Sequence, residues 1–287
     1  MKLRSFAQVD VFGPPATKSS KGFLGNPVAV VVDAEGVTDE QMARIAAWTN
    51  LSETTFILPP TDPAADYRLR IFTASQELPF AGHPTLGSAR AWLDAGGASH
   101  TQGRLVQECA AGLIKLRLGA DDTVELAAPP RTRTGPLDGS TLDTICRCLH
   151  LERSAIMGHQ WCANGPQWTA IMLASAEDAL AVRSDTNALT EAGLEVGVIG
   201  PYPVGSPFAY EVRAFCPGFN VSEDPVTGSL NAAIAQWLRA DRLVGERYVV
   251  SHGTVLGRQG RVMINDEAGQ IWVGGRTMIA IKGTIAI

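Results

Sequence analysis

No run of apolar residues in this 287-residue chain reaches the roughly 18 that a helix needs to cross a bilayer. A membrane span is therefore not expected. Cysteine is sparse and scattered. Cys109, Cys146, Cys148, Cys162 and Cys216 form an odd set with no CxxC spacing, which argues against a disulfide framework and against a zinc site. Positive charge is not in excess: the net charge is −5, whereas a nucleic-acid partner calls for clustered Lys and Arg. The densest basic spot, Arg131 to Arg133, reads as a solvated loop. The opening MKLRSFAQVDVF lacks the apolar core of a secretory leader, so the expected location is the cytoplasm, and the sequon Asn220–Ser222 is read as chance. GxSxG, HExxH, Walker and GxGxxG motifs are all missing, so no nucleotide cofactor is expected. His100, His150, His159 and His252 have no ligand-like spacing, so no metal is expected either.

What is present is a globular chain long enough for two ordinary domains. FAQVDVF reads as a strand, followed by a Gly/Pro/Ser-rich loop from Gly13 to Pro27 in which GFLGNP is a turn. VAVVV is a β-branched run typical of a buried strand. Thr38 and Gln41 have capping-box spacing ahead of a helix through Trp48, and TFIL follows as a strand with Glu53 at its entrance. YRLRIF alternates apolar and basic residues, as a half-buried strand does. Further strands are expected at LIKLRL, TVELA, TAIML, FAYEVRAF, RVMIN and QIWVGG, with helices near Leu142 to His150 and Ala176 to Val182. Many short strands with few helices indicate α+β rather than a doubly wound sheet.

The chain repeats itself at half its length. RIFTASQELPFAGHPTLGSARAW and VRAFCPGFNVSEDPVTGSLNAAIAQW share an R-x-F strand end, a polar loop, [His/Asp]-Pro-x-x-Gly-Ser and an Ala-rich apolar helix ending in Trp. Two copies of one domain are expected, not a solenoid. Proline favours the first helical position, which puts His83 and Asp224 at the two helix N-caps. The first-turn amides behind them are anion donors, and two such ends across an interdomain cleft suit a small carboxylate. An Asp cap is by itself ordinary helix chemistry. The matched His83 is not, because a cap needs no imidazole. Glu53 precedes an apolar strand, where desolvation would raise a carboxyl pKa and suit it to proton transfer near neutral pH.

These segments together resemble the phenazine-biosynthesis PhzF-like family, which is similar in fold to diaminopimelate epimerase. QVDVF, GNPVAVV, NLSETTF, PFAGHPTLG, EDPVTGS and VGGRTMIAIKGTI carry the resemblance almost end to end. It implies two similar domains, each a curved, mostly antiparallel β-sheet or barrel around a central helix, with the active site in the interdomain cleft. The returning last strand implies boundaries of 1–127 plus 277–287 for the first domain and 128–276 for the second. It implies an isomerase that is a homodimer and needs neither cofactor nor metal. The type reaction is isomerisation of trans-2,3-dihydro-3-hydroxyanthranilate by a proton shuttle, for which Glu53 matches the general acid/base. By the same resemblance His83 and Asp224 orient the substrate, while Ser229, Gly228 and Gly82 help to bind it. Epimerase relatives carry a Cys at each of the two cap positions. His83 and Asp224 stand there instead, which argues against thiol-based racemisation. The alternatives are an isomerase or epimerase of another small amino or cyclic acid, and a non-catalytic carboxylate-binding protein.

Overall fold

The computed structural model describes residues 1–15, 22–217 and 221–287. The middle of the Gly13–Pro27 loop and the asparagine of the sequon lie outside the described residues. The chain divides into two compact units, Met1–Ala127 with Gly274–Ile287, and Ala128–Val273. The sequence reading placed the second crossing at 276/277.

The first unit is a closed eight-stranded barrel. Its strands are β1 (Leu3–Val11), β2 (Asn26–Val31), β3 (Thr54–Leu58), β4 (Tyr67–Phe72), β6 (Arg104–Cys109), β7 (Gly112–Leu118), β8 (Thr123–Ala127) and the later part of β16 (Gln270–Ala286), neighbours in that order. Closure comes from β1 against β16, with Leu3 opposite Ala286 and Val11 opposite Thr277. The short β5 (Glu77–Leu78) pairs with β4. The β2–β3 and β4–β6 pairings are parallel, while β1–β2, β3–β4, β6–β7, β7–β8 and β1–β16 are antiparallel. Helix α2 (Gly82–Asp94) packs on β1, β2, β3, β4 and β8, and nine of its residues are buried. Its small and apolar residues let it fit inside the barrel, and its buried polar side chains are bonded: Ser88 Oγ lies 2.8 Å from Thr55 Oγ1, and Thr85 Oγ1 accepts from Gln107 Nε2 at 3.1 Å. Outside the barrel lies α1 (Asp39–Thr49), whose capping box is formed: Gln41 N–H donates to Thr38 Oγ1 and Thr38 N–H to Gln41 Oε1.

The second unit has a comparable strand order around a buried helix. The start of β16 adjoins β15 (Gly260–Glu267), then β14 (Arg247–His252), β12 (Tyr210–Cys216), β11 (Glu195–Pro201), β10 (Trp168–Met172) and β9 (Gly158–Trp161), with β13 (Val221–Asp224) against β12. Its buried helix is α6 (Gly228–Ala240). Helices α3 (Gly139–Leu149), α4 (Ala176–Ala181) and α5 (Thr186–Ala192) supply a second layer, where Leu142, Ile145, Leu149 and Leu189 close a core with Val196, Val198 and Phe215.

The α+β class stands. Strands β5, β6, β9, β11, β13 and β14 and helix α5 are additional to the sequence expectation. In β11, Gly197 faces α6, where an added Cβ would lie 2.6 Å from Leu230 Cδ1. The glycine there serves close packing rather than a bend. The Arg131–Arg133 segment is more than a solvated loop, since the Arg133 guanidinium stacks 3.3 Å from the centre of the Trp161 ring. All five cysteines are buried free thiols, and no helix among the described residues is long and apolar enough to cross a membrane.

Candidate active site

In the first unit, α1 ends on Asn50 in the left-handed conformation, and after three intervening residues the chain enters β3 at Thr54. Glu53 stands at that entrance. The residues after it are pinned on both sides. Thr54 Oγ1 lies 2.7 Å from Thr49 Oγ1 of α1, and Thr55 Oγ1 lies 2.8 Å from Ser88 Oγ of α2. The second bond ties the strand that begins beside Glu53 to the helix that carries His83. Across this tie Glu53 Oε2 comes within 3.4 Å of His83 Nε2, with the two side chains 15% and 5% exposed. The other ring nitrogen, Nδ1, lies 3.4 Å from Asn26 Nδ2. Asn26 opens β2, and the turn before it is held by Asp10, whose carboxylate accepts the N–H groups of Leu24 and Gly25 at 3.1 and 2.9 Å. Burial pushes the His83 pKa down to about 3, only partly opposed by a hydrogen bond to the Pro27 backbone. The imidazole is therefore neutral at any ordinary pH. It offers one donor and one acceptor and carries no charge.

The helix boundary differs from the sequence expectation. Helix α2 starts at Gly82 with Ala81 as its cap, so His83 sits inside the first turn, not at the N-cap. Asp224 is not a cap either: it ends β13, and α6 starts at Gly228 after a Thr227 cap. Proline tolerates the first turn as a whole, so Pro84 and Pro225 mark the region but not the capping residue. Helices α1, α3, α4 and α5 are capped by the side chains of Thr38, Asp138, Ser175 and Asp185. Neither α2 nor α6 has such a bond. Their first-turn amides keep their donor capacity for another acceptor.

In the second unit the backbone of Asp224 pairs with Ala214, and its carboxylate accepts the Thr227 hydroxyl at 2.5 Å. Gly228 and Ser229 open α6. Ser229 Oγ accepts the Trp168 indole N–H at 3.1 Å, and Asn164 Nδ2 donates to the Ser229 carbonyl at 2.8 Å. Thus Glu53, His83 and Gly82 come together in the first unit, and Asp224, Gly228 and Ser229 in the second. Sequence reasoning missed Asn26, Asn164 and Trp168. The Asn-Pro of GNP and the turn-forming NGPQW were the available signals, since both put amide side chains at strand ends. Among the described residues no group of three His, Cys, Asp or Glu side chains is placed to hold a metal ion.

The sequence model of the PhzC-PhzF family, described as phenazine biosynthesis-like protein, matches residues 9–283. The chain belongs to that family. Among other PhzC-PhzF-like sequences, antisense-enhancing sequence 1 of Schizosaccharomyces pombe is 34% identical over 99% of both chains. The trans-2,3-dihydro-3-hydroxyanthranilate isomerase of Pseudomonas aeruginosa is 32% identical, covering 92% of this chain and 91% of its own. A PhzF-family crystal structure from Bacillus anthracis superposes with a TM-score of 0.81 at 21% identity, covering both chains completely, which establishes the PhzF fold.

Proposed function

We propose that this PhzC-PhzF protein is an isomerase that moves a proton between carbon atoms of a small cyclic amino or hydroxy carboxylate, with trans-2,3-dihydro-3-hydroxyanthranilate as the leading substrate. The observation that carries the proposal is the Glu53–His83 pair: a carboxyl group largely withdrawn from water, 3.4 Å from an imidazole that stays neutral. Glu53 is the acid/base. It takes a proton from one ring carbon as a carboxylate and returns it to another as a carboxylic acid, so the reaction is redox-neutral and needs no co-reactant. A neutral His83 neither neutralises Glu53 nor competes for its proton, and it remains able to hydrogen-bond the substrate's polar groups. Asp224 takes the amino and hydroxyl region. Ser229 and the amides of Gly228 and Ser229 take the carboxylate, in keeping with the α6 N-terminus having no side-chain cap. Gly82 keeps the start of α2 open to the ligand. The isomerase name of the Pseudomonas relative supports the reaction class.

The test is turnover of trans-2,3-dihydro-3-hydroxyanthranilate in deuterated water, followed by proton NMR, beside Glu53→Gln. Wild-type protein is expected to isomerise the substrate, and Glu53→Gln to lose about 100- to 10,000-fold in kcat with little change in binding. A variant with full turnover would remove Glu53 from the mechanism. An inert wild type would remove this substrate and direct the search to other small amino and cyclic acids.

A further inference from the structure

One buried titratable side chain beside the α6 entrance has no part in the proposed chemistry. His252, the last residue of β14, is 0% exposed. It lies opposite Val212 of β12 and Gly260 of β15. Its Nδ1 accepts the backbone N–H of Thr227 at 3.4 Å and lies 3.2 Å from Asn231 Nδ2. Asn231, 1% exposed, also donates through Nδ2 to the Thr227 carbonyl at 2.8 Å. The Thr227 hydroxyl donates in turn to Asp224 Oδ2.

We propose that His252 is a positioning residue for Asp224: its ring fixes the Thr227 backbone, and Thr227 holds the Asp224 carboxylate in the orientation that binds substrate. The chemistry assigns the tautomer. A backbone N–H can only donate, so Nδ1 carries the lone pair and the ring proton is on Nε2. Nδ1 then accepts one hydrogen of the Asn231 amide while the other goes to the Thr227 carbonyl. The three side chains form one directed network, in which each member fixes the next. Burial lowers the His252 pKa to about 3, which keeps the acceptor available throughout the pH range in which an enzyme works. The first-unit pair of His83 and Asn26 is a partial counterpart: again a buried neutral imidazole beside an amide side chain at the site, but with the ring itself next to the acid/base.

The functional part of this inference rests on Asp224 binding substrate, so the experiment has two arms. His252→Phe removes the acceptor and His252→Asn retains one at the Nδ1 position. In the kinetic arm, His252→Phe is expected to raise KM for trans-2,3-dihydro-3-hydroxyanthranilate about tenfold, with kcat much less affected, and His252→Asn to restore most of the loss. An unchanged KM in a folded His252→Phe protein would reduce the ring to a packing residue. The second arm needs no turnover. Thr227 amide exchange is expected to accelerate and the Asp224 carboxyl 13C resonance to move in His252→Phe but not in His252→Asn. If the wild type has no activity while these signals respond, the proposed reaction fails and the positioning network stands. If neither signal responds, the network itself is wrong. Should His252→Phe not fold, the imidazole 15N shifts of the wild type decide: a proton on Nδ1 overturns the proposal.

Discussion

Single residues in this protein are constrained by distances of a few tenths of an ångström, and Gly87 shows how. It lies in α2 against β1 and β2, and a Cβ built there would be 2.4 Å from Val28 Cγ1 and 3.1 Å from Val11 Cγ2. Two effects oppose each other in Gly87→Ala. Helix propensity favours alanine by about 1 kcal/mol, while overpacking a fully buried valine wall costs about 1–3 kcal/mol. Val28 is 0% exposed and its β-branched side chain has little rotamer freedom with which to yield, so the overpacking term wins. Denaturant titration of Gly87→Ala is expected to show a net loss of up to about 2 kcal/mol. Because α2 also carries His83, the same variant should weaken substrate binding. A variant more stable than wild type would mean that α2 can move away from the barrel wall.

At the scale of an element, β13 is too short to be held by its ladder alone. Its anchor is a buried ion pair: Arg213 of β12 meets Glu223 through two bonds of 2.8 Å, with the side chains 4% and 8% exposed. Arg213 Nη1 also donates to the Val182 and Ala179 carbonyls, at 2.6 and 3.2 Å, and so closes the end of α4. The pair therefore joins α4, β12 and the residue next to Asp224. Breaking one partner leaves a buried charge, so Glu223→Leu should cost about 3–5 kcal/mol. Replacing both, as Arg213→Met with Glu223→Leu, should cost clearly less, because no uncompensated charge remains. Urea unfolding of Glu223→Leu, Arg213→Met and the double variant separates these cases. Additive losses would show that the two residues do not act as a pair.

For the whole molecule, the two buried histidines link folding to pH. His83 and His252 each have a folded pKa of about 3 against an ordinary value near 6.5, with burial the leading cause in both. Between those values the unfolded chain binds more protons than the folded one, so stability rises with pH. The contribution is fully present above about 6.5 and is lost progressively as pH falls toward 3. For the pair it is on the order of several kcal/mol. Chemical denaturation at a series of pH values should show the protein weakening from pH 6.5 downward, before ordinary carboxylates titrate. Replacing either histidine with glutamine should flatten that slope, and a slope unaffected by both replacements would assign the acid sensitivity to other groups.

The sequence by itself determined what local chemistry determines. The capping box of α1, the alternation in YRLRIF and the apolar run in β2 each follow from residues close together in the chain, and each is found in the fold. It also separated out Glu53, His83, Asp224 and Ser229 as unusual residues at strand and helix ends. Only the tertiary structure brought Glu53 to 3.4 Å from His83, through the Thr55–Ser88 tie between β3 and α2. Likewise, only β-sheet pairing carried His252 and Trp168 to the start of α6. The helix starts were misplaced by one or more residues because proline is compatible with several first-turn positions, and the final choice falls to packing. Strand β11 was hidden because its glycines answer to side chains on α6 and to the backbone at Ser175, which no local pattern displays. Local order is written in neighbouring residues. The contacts that make a site depend on register and packing between distant ones, which are fixed only when the core closes.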